Sequence, residues 1–418
     1  MKNTVPDPQH GQTLRRRSET AIAIVFLILL VGSLVVVVNI IRHKNSSTAG
    51  PSHTRTTRTA HTAHADAAGL YVGGGMGELY KLDTKTGKLL WSFSTTARTI
   101  PAPAMVAGND VYFGDSDGNV YALDANTGKQ VWTFSTGGSI VASPSVDGTI
   151  VYVGSADSHL YALNAQTGAK VWSYDPGLGN ETVTVTSASV VNGVAYASAS
   201  DEATHSYVFA VNAQTGAQVW RTQANGVLLS SPQVNQGKVY AVSSPITKQA
   251  ATTSQIAVFN AADGSQPAQP NQEAVAPGTQ AAPLAPPSPT LVNGVAYFGS
   301  QDGTVSAVNE DTAAVLWHQN VGGAVDASPV VTQTLIYVGV TTGTIDNNAI
   351  MALNPADGTQ RWTSQLAHYA GSNIVVSGNV LFVGTGTATV YALDSTSGMV
   401  LWTYQEQAPF GNTPLTAA

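Results

Sequence analysis

The chain contains no cysteine among its 418 residues. This absence excludes disulfides, c-type haem attachment, thiolate metal sites and cysteine nucleophiles. Charged residues are also scarce, at 10% of the chain, whereas glycine and proline are plentiful, with 40 and 20 residues. This balance favours many short strands joined by tight turns, and we expect almost no helix beyond residue 45.

Two catalytic motifs are missing as well, since the chain has neither a Walker loop nor an H-E-x-x-H pair. A segment beginning at Asp115 resembles a calcium-binding loop, but Val120 and Asn126 replace its turn glycine and its bidentate glutamate. We interpret this segment as a turn between strands. The histidines of the body lack the spacing of metal ligands; they are His159, His205, His318 and His368. We therefore predict no catalytic residue and no metal site.

Acidic residues outnumber basic ones over most of the chain. Residues 1–58 hold eight basic and two acidic residues, whereas residues 59–418 hold 10 basic and 23 acidic residues. The larger part has a net charge of −13 at neutral pH. It would repel a phosphate backbone, so we exclude nucleic acid as a partner.

One long apolar run is present at Ala21–Ile41, which reads AIAIVFLILLVGSLVVVVNII without a charge. A helix of this length crosses the roughly 30 Å hydrocarbon core of a bilayer. A cleaved signal peptide is the alternative, but the run exceeds a typical signal core, and Arg42 and Lys44 follow it directly. We predict a single transmembrane helix, and the basic run Arg15–Arg17 predicts that residues 1–20 form a cytoplasmic tail.

Residues 42–68 are rich in threonine, serine, alanine and histidine. They cannot bury enough apolar surface to fold, so we expect a flexible tether to an extracytoplasmic body at residues 69–418. A metal site formed by His53, His61 and His64 is the alternative interpretation of this segment, but a solvated linker explains these histidines more simply.

The body consists of eight copies of one sequence unit. All seven tryptophans occupy one position of the unit, and a degenerate copy has Ala268 there. Successive positions are 41, 40, 48, 48, 49, 45 and 40 residues apart, the length of a four-stranded propeller blade. A glycine stands four residues earlier in every copy except the one with Ala313. The repeat residues are Trp91, Trp132, Trp172, Trp220, Trp317, Trp362 and Trp402, with Gly87, Gly128, Gly168, Gly216, Gly264, Gly358 and Gly398.

Each unit predicts four strands, A to D, so the fold class is an all-β, eight-bladed propeller. In the third copy the strands are expected at 141–146, 151–154, 160–163 and 170–174. The tryptophan on strand D should fill the wedge that opens between neighbouring blades. The first copy lacks strand A, and Asn412–Ala418 at the end of the chain matches it. We predict that these residues complete blade 1 and close the ring.

The string from Tyr121 to Trp132, YALDANTGKQVW, and its copies resemble the PQQ-type propeller repeat. This repeat occurs in quinoprotein alcohol dehydrogenases and in the propeller lipoprotein of the outer-membrane β-barrel assembly machinery. The resemblance covers residues 69–418. A WD40 propeller fits less well, because no Trp-Asp dipeptide ends a strand. The dehydrogenases of this family hold PQQ with calcium under a vicinal disulfide, which this cysteine-free chain cannot form.

The resemblance to the assembly-machinery propeller, which binds other proteins and catalyses nothing, implies a membrane-anchored extracytoplasmic scaffold. Its expected partners are envelope or membrane proteins, or a ligand, and no cofactor is expected. This chain departs from that lipoprotein because it has an apolar helix and no lipobox cysteine. One alternative is a PQQ-dependent dehydrogenase with a degenerate site. Another is a sensor ectodomain, although residues 1–20 are too short for a signalling domain.

Two regions are candidates for recognition. The B–C turns and the D–A links of a propeller share one face, and five of them are long, at 175–182, 199–206, 243–254, 265–285 and 341–348. Binding on these loops is one interpretation, and neutral variation of tolerant loops is the other. The central channel could be lined by small polar residues at one strand A position, namely Ser143, Ser187, Ser231, Ser288 and Ser328.

Overall fold

The computed structural model describes most of the body. The described residues are 69–74, 76–178, 183–201, 206–224, 227–228, 231–244, 255–266, 289–300, 302–310, 312, 314–325, 327–342, 348–366, 374–385, 389–405 and 415–417. The predicted tail, transmembrane helix and tether lie outside them. Among the described residues, no helix is long and apolar enough to span a bilayer.

Regular structure in the described residues consists of strands β1–β33, arranged in eight antiparallel sheets. The prediction of an all-β, eight-bladed propeller is confirmed. Blade 1 contains β1 (Leu70–Gly73), β2 (Glu78–Leu82) and β3 (Leu89–Ser94); blade 2 contains β4 (Met105–Ala107), β5 (Asp110–Gly114), β6 (Asn119–Asp124) and β7 (Gln130–Ser135); blade 3 contains β8 (Ser145–Asp147), β9 (Ile150–Gly154), β10 (Leu160–Asn164) and β11 (Lys170–Tyr174); blade 4 contains β12 (Thr184–Val185), β13 (Ser189–Val191), β14 (Val194–Ser200), β15 (Ser206–Asn212) and β16 (Gln218–Ala224).

The second half of the ring repeats this plan. Blade 5 contains β17 (Val227–Leu228), β18 (Gln233–Asn235), β19 (Lys238–Ser244) and β20 (Gln255–Asn260); blade 6 contains β21 (Thr290–Val292), β22 (Val295–Gly299), β23 (Thr304–Asn309) and β24 (Val315–Asn320); blade 7 contains β25 (Val330–Val331), β26 (Ile336–Val340), β27 (Asn348–Leu353) and β28 (Gln360–Leu366); blade 8 contains β29 (Ile374–Ser377), β30 (Val380–Gly384), β31 (Thr389–Asp394) and β32 (Val400–Gln405); β33 (Leu415–Ala417) joins blade 1.

Burial changes from the middle of a blade to its outer edge. The second strand of blade 2, β5, is buried at every residue, because a neighbouring blade covers each face of the sheet. The outer strand of blade 1, β3, instead alternates exposed and half-buried residues after Leu90. The core is therefore a ring of apolar layers, each shared by two blades, as in the layer that joins Tyr71 of blade 1 to Phe113 of blade 2.

The turn between the third and fourth strands has one design in most blades. In blade 1 the Asp83 carboxylate accepts hydrogen bonds from the backbone N–H and the hydroxyl of Thr86, at 2.8 and 2.6 Å. These bonds hold the pKa of Asp83 below its usual range. Gly87 ends the turn at a φ of +70°, a conformation that favours glycine. The spacing of Asp or Asn before Gly in the sequence thus encodes the turn.

The ring closes through the end of the chain, as predicted. Strand β33 pairs antiparallel with β1, with Tyr71 opposite Thr416 and Val72 opposite Leu415. Leu415 is buried in the apolar layer between blades 8 and 1. The first blade therefore combines the last strand of the propeller with the first three.

Blades 4 and 5 depart from the common plan. Their inner edge is divided into two short strands, since β12 and β13 both pair with β14, and β17 and β18 both pair with β19. The residues expected to form the outer strand of blade 5, including Ala268, lie outside the described part of the chain.

Deleting residues 412–418 should remove the inner strand of blade 1 and expose the unpaired edge of β1. The burial of Leu415 alone predicts a loss of at least about 2 kcal/mol in the free energy of unfolding. Calorimetry should show a clearly lower melting temperature for this variant, whereas removal of Ala418 alone should have no effect. An unchanged melting temperature after the longer deletion would contradict closure by β33.

Candidate functional site

The seven tryptophans lie at the interfaces between successive blades. In blade 2, Trp132 Nε1 donates a hydrogen bond of 2.8 Å to the carbonyl of Ala165 in blade 3. The equivalent indole donors and carbonyl acceptors are Trp91 and Ala125, Trp172 and Ala213, Trp220 and Ala261, Trp317 and Pro355, Trp362 and Ser395, and Trp402 and Thr84. Each bond joins an outer strand to the turn before the outer strand of the next blade.

The repeat glycine of that next turn receives the indole ring. A Cβ atom added to Gly168 would lie 2.7 Å from the Trp132 ring, so the ring occupies the space that a side chain would need. The same close approach occurs at Gly87, Gly128, Gly216, Gly264, Gly358 and Gly398. The tryptophan and glycine of the repeat thus belong to one contact, formed between different blades.

A tyrosine of the second strand shares the carbonyl acceptor in several interfaces. In blade 3 the Tyr152 hydroxyl and Trp172 Nε1 both donate to the carbonyl of Ala213, each at 3.0 Å. The two rings lie 5.9 Å apart. Burial raises the pKa of Tyr152 to about 12, and the Asp147 carboxylate adds to this increase. The hydroxyl is therefore a neutral donor at physiological pH.

The interface between blades 5 and 6 is built differently. Its tryptophan position is Ala268 and the matching glycine position is Ala313. Here Lys238 Nζ donates to the carbonyl of Glu310 at 3.3 Å, which is the acceptor position that an indole uses elsewhere. Asn235 Nδ2 donates to Glu310 Oε2 at 2.7 Å. Among the described residues, the buried Oε1 of Glu310 has no hydrogen-bond partner. At this interface, hydrogen bonds from Lys238 and Asn235 to Glu310 thus stand where the other interfaces have an indole.

The inner strands are joined by a second set of contacts, formed by hydroxyl groups. Ser145 Oγ donates to the carbonyl of Ala188 in the next blade at 2.6 Å, and Thr290 Oγ1 donates to that of Pro329 at 2.5 Å. Ser189 and Thr416 make the equivalent bonds to Pro232 and Ala104. Each donor stands opposite a tyrosine of the second strand, namely Tyr152, Tyr297, Tyr196 and Tyr71. These hydroxyls therefore link the blades around the channel.

The structure distributes the five predicted channel serines unevenly. Ser187 is buried, and its hydroxyl donates to the carbonyl of half-buried Ser143. Ser231 and Ser328 are half-buried, and Ser288 lies outside the described residues. Ser145, Ser189 and Thr290 were not predicted, although they stand two positions after three of the predicted serines. The alternation of side chains along a strand was the available signal, because residues two apart share a face.

Two cavities open along the inner strands. One of about 320 Å³ is lined by residues of blades 3 to 5, including Ser145, Asp147, Ser189 and Gln233. The other, of about 340 Å³, is lined by residues that include Pro103, Thr290, Ser328 and Leu415. Both are shallow spaces walled by small polar and aliphatic groups.

These linings do not fit PQQ and calcium. PQQ carries three carboxylates and calcium requires six to eight oxygen ligands, which calls for cationic groups and several carboxylates. The two linings contain one ionisable side chain, Asp147, and no cationic group. No group of three acidic, histidine or cysteine residues in the described part of the chain could hold a metal ion. We therefore derive no chemistry through this cofactor.

The segment Gly114–Gly118 also has the G-x-S-x-G spacing of a hydrolase nucleophile. That motif requires a turn from a strand into a helix, whereas Ser116 lies in the turn between the antiparallel strands β5 and β6. Asp115 Oδ1 accepts backbone N–H bonds from Asp117 and Asn119, at 3.0 and 2.8 Å. Its Oδ2 accepts the Tyr121 hydroxyl at 3.1 Å. Asp115 thus serves the hairpin, as the sequence predicted.

The fold and the repeated interface contacts define the class of protein: an eight-bladed propeller of PQQ-type repeats. The chain belongs to the family described as outer membrane protein assembly factor BamB. The family model matches residues 45–206, 202–339 and 346–418.

Individual relatives are distant. Outer membrane protein assembly factor BamB of Escherichia coli K12 is 26% identical over 136 residues, covering 28% of this chain and 33% of that protein. BamB from Moraxella catarrhalis has a solved structure with a TM-score of 0.55 and 21% identity, covering 82% of this chain and 92% of that chain. For a europium-containing methanol dehydrogenase the values are 0.62 and 14%, over 77% and 81%. The structural matches establish the fold alone.

Replacing Gly168 by alanine should separate the ring contact from ordinary backbone strain. Gly168 and Gly148 both have positive φ, +70° and +56°, but only Gly168 faces an indole ring; Gly148 has nothing near its Cβ position. Each substitution should cost about 1 kcal/mol for the left-handed backbone, and Gly168→Ala should cost roughly 1–3 kcal/mol more through overpacking. Chemical denaturation measures both. In a Trp132→Ala background this extra cost should vanish, and its persistence would contradict the contact.

Alkaline pH should weaken the shared tyrosine and tryptophan contact. Tyr152 ionises near pH 10 in the unfolded chain but at about 12 in the folded protein. Its contribution is therefore complete below about pH 10 and is lost as the pH rises towards 12. Melting temperatures measured across this range should fall less steeply for Tyr152→Phe than for the parent. Equal slopes would show that Tyr152 does not control the alkaline limit.

Proposed function

We propose that this chain is a membrane-anchored, extracytoplasmic scaffold that binds other envelope proteins during assembly of the cell envelope. The main support is the family model described as an outer membrane protein assembly factor, which matches nearly all of residues 45–418. In this proposal Ala21–Ile41 is the anchor, residues 1–20 are cytoplasmic, and the propeller is the binding part.

The construction of the ring suits a scaffold. Each described tryptophan connects an outer strand with the next blade, and hydroxyls such as Ser145 connect inner strands. The ring is therefore held at its inner and outer edges, so loops projecting from it would start from fixed positions. Binding surfaces are commonly built on loops that a rigid framework carries.

One face of the ring is the better candidate for binding, and we call it the loop face. It is the end of each blade at which the second strand turns into the third, and at which the fourth strand leads to the next blade. In blade 4, Ser200 pairs with Ser206 at this end. The segments 243–254 and 341–348 leave the same end of blades 5 and 7. The long loops themselves lie largely outside the described residues.

The experiment tests the loop face directly in the full chain. Shortening 243–254 and 341–348 to the length of the Asp115–Asn119 turn should reduce cross-linked partners in intact cells at least about tenfold, because the proposed contact surface is removed. The variant keeps Ser243, Ser244 and Asn348, which belong to the paired strands β19 and β27, so the melting temperature should stay within a few degrees of the parent.

The control replaces exposed residues in the turns of the opposite face, with Asn126, Gln166 and Gln214 changed to alanine. Capture of partners should survive these changes. If capture survives the loop deletions and fails in the control, the binding face is the wrong one. Binding of PQQ with calcium to the purified chain, followed by alcohol oxidation, would overturn the scaffold in favour of an enzyme.

A further inference from the structure

The outer edges of blades 8 and 1 carry five large apolar side chains that face solvent. Met399 precedes the outer strand of blade 8, which Val400 and Leu401 begin, and the three are 67, 43 and 49% exposed. Leu89 and Leu90 begin that of blade 1 and are 41 and 50% exposed. These two blades are neighbours, since Trp402 Nε1 donates to the carbonyl of Thr84. We call the five residues on these two adjacent outer edges the rim patch.

The same positions are more polar in most of the other described outer strands. The two residues before the tryptophan are Gln130 and Val131 in blade 2, Lys170 and Val171 in blade 3, Gln218 and Val219 in blade 4, and Gln360 and Arg361 in blade 7. Blade 6 has Val315 and Leu316, but blade 7 separates this pair from blade 8. The residue directly before the tryptophan is apolar in six of the seven described outer strands, and Val171 and Val219 are as exposed as Leu90 and Leu401. Among these strands, the residue before it is apolar only in blades 1, 6 and 8, so Leu89 and Val400 distinguish the adjacent blades 1 and 8 from the other described pairs of neighbours.

The chain enters the propeller close to the rim patch. Leu70 stands opposite Leu82, and Leu82 stands opposite Leu89, so all three lie at the same end of blade 1. Gly69, which precedes Leu70, is therefore about two strand spacings, or roughly 10 Å, from Leu89. Two exposed lysines, Lys85 and Lys88, occupy the turn at this end.

We propose that the rim patch lies against the surface of the lipid bilayer. This inference rests on the proposed function, because it requires Ala21–Ile41 to be inserted in that bilayer. The patch lies on the outer edge of the ring, where a planar membrane can reach it. Apolar side chains beside lysines suit a lipid interface, because the apolar side chains can enter the headgroup region. Lys85 and Lys88 place local positive charge beside the lipid phosphates, on a body that is otherwise acidic.

Attachment to the anchor through the segment before Gly69 would allow a small patch to hold the propeller against the membrane. Residues 42–68 are 27 residues long, and a coil of that length has a mean end-to-end distance of roughly 30 Å. An anchored propeller would thus stay within reach of the membrane at an effective concentration in the millimolar range. Contacts too weak to bind vesicles from solution would then hold the ring in one orientation. The loop face lies at the opposite end of each blade from Leu89, so contact at the rim patch would leave the loops accessible to partners.

The absence of cysteine allows a direct test with the full chain in vesicles. Ser92 and Ser173 are both exposed and both follow the repeat tryptophan, in blades 1 and 3. Ser92→Cys and Ser173→Cys each provide a single site for a fluorescent label. Vesicles of phosphatidylcholine with phosphatidylglycerol, containing headgroup spin-labelled lipid as quencher, report proximity. We expect quenching at position 92 to exceed quenching at position 173 at least about threefold.

Matched variants connect this result to the rim patch. Leu89→Gln, Leu90→Gln and Leu401→Gln together, in the Ser92→Cys chain, should reduce quenching to the level at position 173. Glutamine is native at the position of Leu89 in blades 2, 4 and 7, and Arg361 occupies the position of Leu90 and Leu401 in blade 7, so the fold should tolerate polar residues at these positions. The control, Val315→Gln with Leu316→Gln, changes equally exposed residues in blade 6 and should leave quenching unchanged. Melting temperatures confirm that each variant is folded.

Flotation of the same vesicles separates the two possible failures. A chain that does not float with the vesicles would refute the anchor, and with it the membrane part of the proposed function. A chain that floats but shows equal quenching at positions 92 and 173 would overturn the rim-patch inference alone. Self-quenching between labels at position 92 without lipid quenching would also overturn it, in favour of contact with a second copy.

Discussion

The propeller depends on one contact, in which an indole ring rests on a glycine of the next blade and donates its N–H to a carbonyl there. The ring needs a position without a Cβ atom, and the carbonyl belongs to the same turn, so that one turn provides both the space and the acceptor. In blades 2 and 3 these elements are Trp132, Gly168 and Ala165. A repeat that conserves this geometry assembles a ring, because each blade completes its neighbour.

Membrane attachment and partner binding make different demands on such a ring. The strands of the outer edge expose one of their two faces to solvent, so the same position can hold Leu89 in one blade and Gln360 in another. The loop face is built from connections that can lengthen without disturbing strand pairing. The inner edge is the most constrained, because hydroxyls such as Ser145 already bond to the adjacent blade. Variation is therefore available at the rim and the loops, where we place the two proposed interactions.

Much of the fold could be predicted from the sequence, because the residues that define the repeat, a tryptophan and a turn glycine, each have a specific steric role. The tryptophan spacing predicted eight blades, and the strand-like end of the chain predicted closure by Leu415–Ala417. The hydroxyl contacts between inner strands were not predicted. Ser143 and Ser145 are both small and polar, and only the register of the inner strand shows that Ser145 reaches the next blade. Lys238 could not be recognised as a substitute for an indole, because the two share a donor group and little else.

The interface between blades 5 and 6 constrains the order in which its substitutions could have occurred. If the interface descended from the common repeat, alanine at position 313 would have collided with a tryptophan at position 268, as a Cβ at Gly168 would collide with Trp132. A change from glycine to alanine before the loss of the ring would have carried the overpacking cost expected for Gly168→Ala, whereas after that loss it would not. The order in which the ring is lost first is therefore the less costly one. Sequence divergence at this one boundary is therefore difficult to reverse, because a restored tryptophan would need the glycine as well. The other seven interfaces retain both residues.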